Sequence, residues 1–144
     1  MDKYGYLITD LCNESGEFLY IHNTLFYNIT DCIKNALLRK IADGPKRVFY
    51  FRILQNCEIV RYIHDDYPFK NYGFCHLKRV NPSERFTVFA THKTLYDSLL
   101  ECVAKAKIFE ADSCDLPDTP DFQLKIGYFK VLNDTEIVQL LHRL

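Results

Sequence analysis

The side chains in this chain that look most able to do chemistry are two glutamates and two histidines. They occur as EIVRYIH, residues 58 to 64, and EIVQLLH, residues 136 to 142, each opened by a glutamate and closed by a histidine. A carboxylate and an imidazole can share general acid and base work, and both can ligate a metal. Their spacing argues otherwise. Glu58 and His64 stand six residues apart, and at about 100° per residue that turns them well away from each other around a helix, unlike the i,i+4 ligands of a zinc helix. Glu136 and His142 share that geometry. The positions suit a structural role instead: Asn56 and Asp134 lie where an N-cap would sit, the glutamates fall in the positive first turn, and the histidines fall toward the negative end.

Other groups with chemical potential are scattered. His22 and His92 each stand in a His-x-Thr-Leu stretch, and no carboxylate or thiol is spaced to join them around a metal, so a turn contact is expected. The six cysteines (Cys12, Cys32, Cys57, Cys75, Cys102 and Cys114) contain no C-x-x-C pair. Free thiols are expected, with Cys32 and Cys102 on the apolar faces of helices. Asp65 and Asp66 could join Glu58 around a cation, but a solvated acidic turn is expected there, since the second copy has Arg143 and Leu144 in their place. Arg39, Lys40, Lys46, Arg47 and Arg61, with Arg52, concentrate positive charge in the first half, where Tyr50 and Tyr62 could stack bases. Asp31, Asp43 and the acidic residues near Glu58 offset that field, and 18 basic against 19 acidic residues leave a formal charge of -1. Coating a phosphate backbone is therefore not the expected main task.

The elements that must position these residues come as a repeat. YFRILQNCEIVRYIH (50 to 64) aligns with YFKVLNDTEIVQLLH (128 to 142) with seven identities in fifteen positions, where chance composition gives about one. HNTLFYNITDCIKNA (22 to 36) aligns with HKTLYDSLLECVAKA (92 to 106) with five. The second copy carries a longer acidic stretch at 109–121, an insertion that loop-closure entropy tolerates. Each copy shows a hairpin pattern, Tyr4 to Leu11 with Phe18 to His22, or CHLKRV with RFTVFAT. An amphipathic helix follows, with Thr24 or Thr94 just ahead as the expected cap. A nearly continuous apolar strand, VFYFRIL or IGYFKVL, and the short EIV helix complete it. The expected fold is α/β in the α+β sense, built from two tandem β-β-α-β-α units, 1–72 and 73–144. Each unit is a small antiparallel sheet with two helices, and the sheets join edge to edge in one compact body.

In order and strand character each unit resembles the GIY-YIG nuclease fold. Gly5-Tyr6-Leu7 lies on that family's first motif and Tyr20-Ile21-His22 on its second, with His22 in place of a glycine. Glu58 lies near the metal-binding glutamate, and YPFKN (67 to 71) is similar to the segment that follows it. This resemblance implies a magnesium-dependent nuclease in which Tyr6 and Tyr20 position water and phosphate and Glu58 holds the ion. The succession of aromatic hairpin, basic-ended helix, apolar strand and Asn or Asp before a short helix also resembles the C-terminal module of the Bro proteins of insect DNA viruses. That resemblance implies a viral protein of the host cytoplasm or nucleus.

The N-terminal MDKYGYLITDL has neither a basic n-region nor a long apolar run, and no uninterrupted apolar stretch approaches membrane-spanning length. An intracellular protein without a membrane segment is expected. The resulting functional expectation is a non-enzymatic binding or assembly module acting through protein contacts and needing no cofactor. The alternatives are the magnesium nuclease of Tyr6, Tyr20 and Glu58, and a nucleic-acid-binding module using Arg39, Lys40, Lys46, Arg47 and Arg61.

Overall fold

The structure, a computed structural model, describes residues 2–9, 16–43, 46–64, 71–79, 85–112 and 123–142, with the backbone alone for 40–43, 109–112 and 123. The elements run β1 (Tyr4–Thr9), β2 (Tyr20–Ile21), α1 (Ile29–Asp43), β3 (Arg47–Ile53) and α2 (Asn56–Tyr62). They continue as β4 (Tyr72–Arg79), β5 (Thr87–Phe89), α3 (Leu99–Asp112), β6 (Gln123–Val131) and α4 (Asp134–His142). The class is mixed α and β. The six strands among the described residues form one antiparallel sheet in the order β2-β1-β3-β6-β4-β5. Most of the acidic stretch at 109–121 lies outside the described residues.

Strand periodicity sorts the apolar residues onto two faces. β1 is buried along its whole length because Leu7 enters one cluster while Tyr4, Tyr6 and Ile8 enter another. In β4, Cys75 and Leu77 share the first cluster, and Tyr72 and Phe74 belong to a third. Around the inner cluster the sheet curls until its outer strands meet. Thr24 bridges Thr87 and Glu17 bridges Thr94. The Val88 N-H donates to the Asn23 carbonyl and the Phe18 N-H to the Lys93 carbonyl, both at 2.9 Å. The result is nearly a barrel, and closure occupies the open strand edges on which other chains could add.

The outer face is covered by helices. Ile29, Cys32 and Ala36 of α1, at helical spacing, seat it on Tyr4, Tyr6 and Ile8, and Leu99, Cys102 and Ala106 seat α3 on Tyr72 and Phe74. The short helices cross over. Ile137 and Leu140 of α4 pack into the α1 cluster, whereas Ile59 and Tyr62 of α2 pack into the α3 cluster. The two halves of the chain thus complete each other's outer layers. Among the described residues, no helix is long and apolar enough to cross a membrane.

Several expected helix boundaries shift. Thr24 and Thr94 do not cap α1 and α3, because the residues after them are drawn into bridges, Phe26 with Tyr4 and Tyr96 with Tyr72. The helices start later. Asn28 accepts the Asp31 N-H at 2.8 Å and Ser98 accepts the Glu101 N-H at 3.2 Å, so these residues do the capping. On the EIV helices the caps fall one residue before Asn56 and Asp134, at Gln55 and Asn133, since the glutamate three residues on reaches back to the cap N-H. α2 also ends at Tyr62, which leaves His64 beyond it, while His142 is the last residue of α4.

Two glycines are required by packing. Gly5 lies opposite Phe51 and Gly73 opposite Phe129. A Cβ at either glycine would fall 2.4 Å from the Cζ of the facing phenylalanine. Both rings are fully buried and lie against each other, centroids 4.4 Å apart, inside the barrel. Gly5→Ala and Gly73→Ala are therefore each expected to destabilise the fold by about 1–3 kcal/mol through overpacking. Urea unfolding should show a lowered midpoint with an unchanged slope.

Candidate functional site

β3 and β6 pair over a short register that sets Arg52 directly beside Lys130. Both point to the outer face, the opposite side from Phe51 and Phe129, and two adjacent cations there need counter-charges. The helices that follow each strand supply them. Glu58 Oε1 accepts from Arg52 Nη1 at 2.7 Å and Oε2 lies 2.6 Å from Nη2, a bidentate pair. Glu136 Oε2 lies 3.2 Å from Lys130 Nζ. Each glutamate also accepts the cap N-H of its own helix, from Gln55 at 3.1 Å and from Asn133 at 3.2 Å. Between α2 and α4 this leaves a polar cleft of about 390 Å³, lined among others by Asp2, Tyr4, Gln55 and Gln139 with Arg52 and both glutamates.

The charges lean on one another. The Glu58 carboxyl is held below its ordinary range first by the Arg52 hydrogen bond, then against the opposing cost of burial by the Gln55 N-H and the charges of Arg52 and Lys130. Arg52 is correspondingly raised, chiefly by that same bond. The EIVxxxH glutamates thus serve as caps and counter-ions, and both histidines are exposed. Lys130 and Gln139 lie inside the repeated stretch and Asp2 outside it, and none of the three was an expected site residue. Only the alignment of Arg52 with Lys130 in the two copies signals that they would meet.

The tyrosines expected to work with Glu58 lie elsewhere. Tyr6 is fully buried and its hydroxyl donates to Asn35 Oδ1 at 2.6 Å. Tyr20 pairs opposite Ile8 on β2, and the tyrosine that lines the cleft is Tyr4. Magnesium would require open oxygen ligands. Both oxygens of Glu58 are engaged, so an ion would first have to displace a guanidinium, and the residues as arranged do not fit one. Among the described residues no three His, Cys, Asp or Glu side chains gather as a metal group. Asp65, Asp66 and residues 67–70 of YPFKN lie outside the described residues. The Asn71 carbonyl accepts the Val131 N-H at 2.7 Å.

The remaining candidates have structural surroundings. His22 stacks on Tyr6 at 4.6 Å and Phe26 at 6.0 Å, and burial, then Arg39, lowers its pKa. His92 stacks on Phe74 and Tyr96 and hydrogen-bonds the Tyr96 hydroxyl. Cys32, Cys75 and Cys102 are buried free thiols, pushed up to about 12 for the first two by burial, and upward for Cys102 as well, while Cys57 is exposed. Cys12 and Cys114 lie outside the described residues. Of the expected nucleic-acid contacts, Arg39 is on α1, Arg47 lies over the Phe49 ring and Arg61 over Tyr62 on α2. Lys46 precedes β3, and the Lys40 side chain is outside the described set. These residues are spread over several elements.

No protein-family model, curated protein or solved structure matches the chain.

Glu58→Gln should cost roughly 1–2 kcal/mol at neutral pH, between the values for exposed and fully buried ion pairs. Because the folded carboxyl is shifted down from 4.5, its contribution is present above that value and is lost as pH falls through the lower folded one. Urea titrations of both proteins should therefore converge as the solution is made acidic.

Proposed function

We propose that the chain is a non-enzymatic binding or assembly module, built from two tandem β-β-α-β-α units and acting through protein contacts. The observation that carries this reading is a contrast. The groups suited to chemistry are spent on each other, as with Glu58 on Arg52 and Gln55 and Tyr6 on Asn35, while large apolar side chains stand outside on the helices. α1 packs beside α4, and on these two helices Leu37, Leu38, Val138 and Leu141 are all exposed, Leu38 by 72%. Exposed apolar side chains on two helices in contact fit a protein partner that presents an apolar face of its own.

The two-unit reading is supported by contacts that come in interchanged pairs. The Leu54 N-H donates to the Tyr128 carbonyl as Leu132 does to Tyr50, both at 2.8 Å. Phe18 to Lys93 matches Val88 to Asn23, and Gly5 under Phe51 matches Gly73 under Phe129. Support for a viral setting comes from the Bro-like order of motifs.

The test begins with proteins that co-purify with the chain from its native cell, followed by direct binding of the purified partner. Leu38→Glu and Val138→Glu should each weaken that binding at least about tenfold, the loss of a central apolar anchor, and leave the fold intact. Val60→Glu on α2 should not. Unchanged binding in both α1 and α4 variants would overturn the reading, as would magnesium-dependent DNA cleavage that Glu58→Gln abolishes.

A further inference from the structure

One end of the barrel interior is lined by cations. The inward register of β4 runs Cys75, Leu77, Arg79, that of β6 runs Phe129, Gly127, Lys125, and that of β1 runs Leu7, Gly5, Lys3. In each case the apolar core gives way to a basic residue one position further out. The three cations converge on the ring of Phe86, which packs against the inner core. Lys125 Nζ lies 4.4 Å from its centroid, Arg79 Cζ 4.6 Å and Lys3 Nζ 5.5 Å. A fourth, Arg85, lies over Tyr27 at 4.6 Å, and Lys3, Tyr27, Arg85 and Phe86 line a common recess.

Three of these cations lack a carboxylate partner: among the described residues no carboxylate forms an ion pair with Lys3, Arg85 or Lys125. Burial lowers the pKa of Lys125, and Lys3 and Arg79 lower it further, the mark of like charges held together. The chain as a whole is at -1, so this positive field is local. Phe86 and Tyr27 offset part of the repulsion through their ring faces. An anion seated beside Lys3, Arg85 and Lys125 would offset the rest.

We propose that this mouth of the barrel binds a ligand carrying two or more neighbouring phosphates, a chemistry shared by a free polyphosphate ester and a nucleic-acid strand. The Arg85 guanidinium offers paired N-H donors to phosphate oxygens, and Lys3 and Lys125 add point charges. The Phe86 ring is already occupied by cations, so recognition runs through phosphate charge rather than base stacking. The site is separate from the apolar α1 and α4 surface and does not depend on the protein-contact reading. It also differs from the Arg39, Lys40, Lys46, Arg47 and Arg61 set expected from the sequence.

The experiment is titration of the full chain with inorganic triphosphate and with a fluorescent single-stranded oligonucleotide, at several salt concentrations. Arg85→Gln and Lys125→Gln should each weaken binding about five- to tenfold and reduce the salt slope by about one ion. Arg61→Gln should change neither. Arg85 is exposed, so its variant reports on the site even if Lys125→Gln perturbs β6. Triphosphate binding that the oligonucleotide does not exceed assigns the site to free phosphate esters, and much tighter oligonucleotide binding assigns it to nucleic acid. Absence of binding to both probes, or binding indifferent to Arg85→Gln and Lys125→Gln, would overturn the proposal.

Discussion

Everything in this fold hangs on two phenylalanines meeting inside a curled sheet. β3 and β6 join the halves of the chain through only a short register centred on Arg52 and Lys130, too little backbone pairing to hold the sheet by itself. Phe51 and Phe129 make the junction solid. Their rings pack on each other, and each fills the space left by the missing side chain of Gly5 or Gly73 on the next strand. A glycine facing an aromatic lets a strongly curved sheet keep a dense interior. With that curvature the outer strands come within reach, and the Thr24 to Thr87 and Glu17 to Thr94 bridges close the ring.

The same junction dictates the charges outside. Strand alternation that turns the phenylalanines inward turns Arg52 and Lys130 outward, side by side. Two cations in contact call for carboxylates, and the shortest route is the first turn of the helix that follows each strand. There Glu58 and Glu136 also satisfy a free cap N-H. One residue type meets two requirements at once, which accounts for the recurrence of EIV. Those helices then lie across the seam, α2 on the α3 side and α4 on the α1 side, so the polar cleft, the crossed helices and the closed sheet share one origin.

Features set by neighbours in sequence were legible. The hairpin and helix patterns, the glutamates in a first turn and the buried Cys32 and Cys102 follow from local periodicity. What escaped was set by partners distant in sequence. Thr24 and Thr94 look like caps until Phe26 and Tyr96 are pulled into bridges with Tyr4 and Tyr72, and no local pattern encodes that. Tyr6, Tyr20 and Glu58 look like a constellation in a linear comparison, whereas packing gives Tyr6 to Asn35 and Glu58 to Arg52. Lys3, Arg79, Arg85 and Lys125 are separated along the chain and converge only when the sheet closes. Charge density counted along the sequence pointed to residues 39–61, a stretch that folding distributes over several elements.

The central claim is that the segments on either side of residue 71 share one interior and one outer layer, so that neither closes alone. Its most direct test is to produce 1–70 and 71–144 as separate polypeptides and record their NMR spectra and sedimentation, singly and mixed. Neither fragment should fold as a monomer, and mixing should give a one-to-one complex with dispersed, native-like resonances. A fragment that is monomeric, dispersed and cooperatively unfolding without its complement would contradict the account.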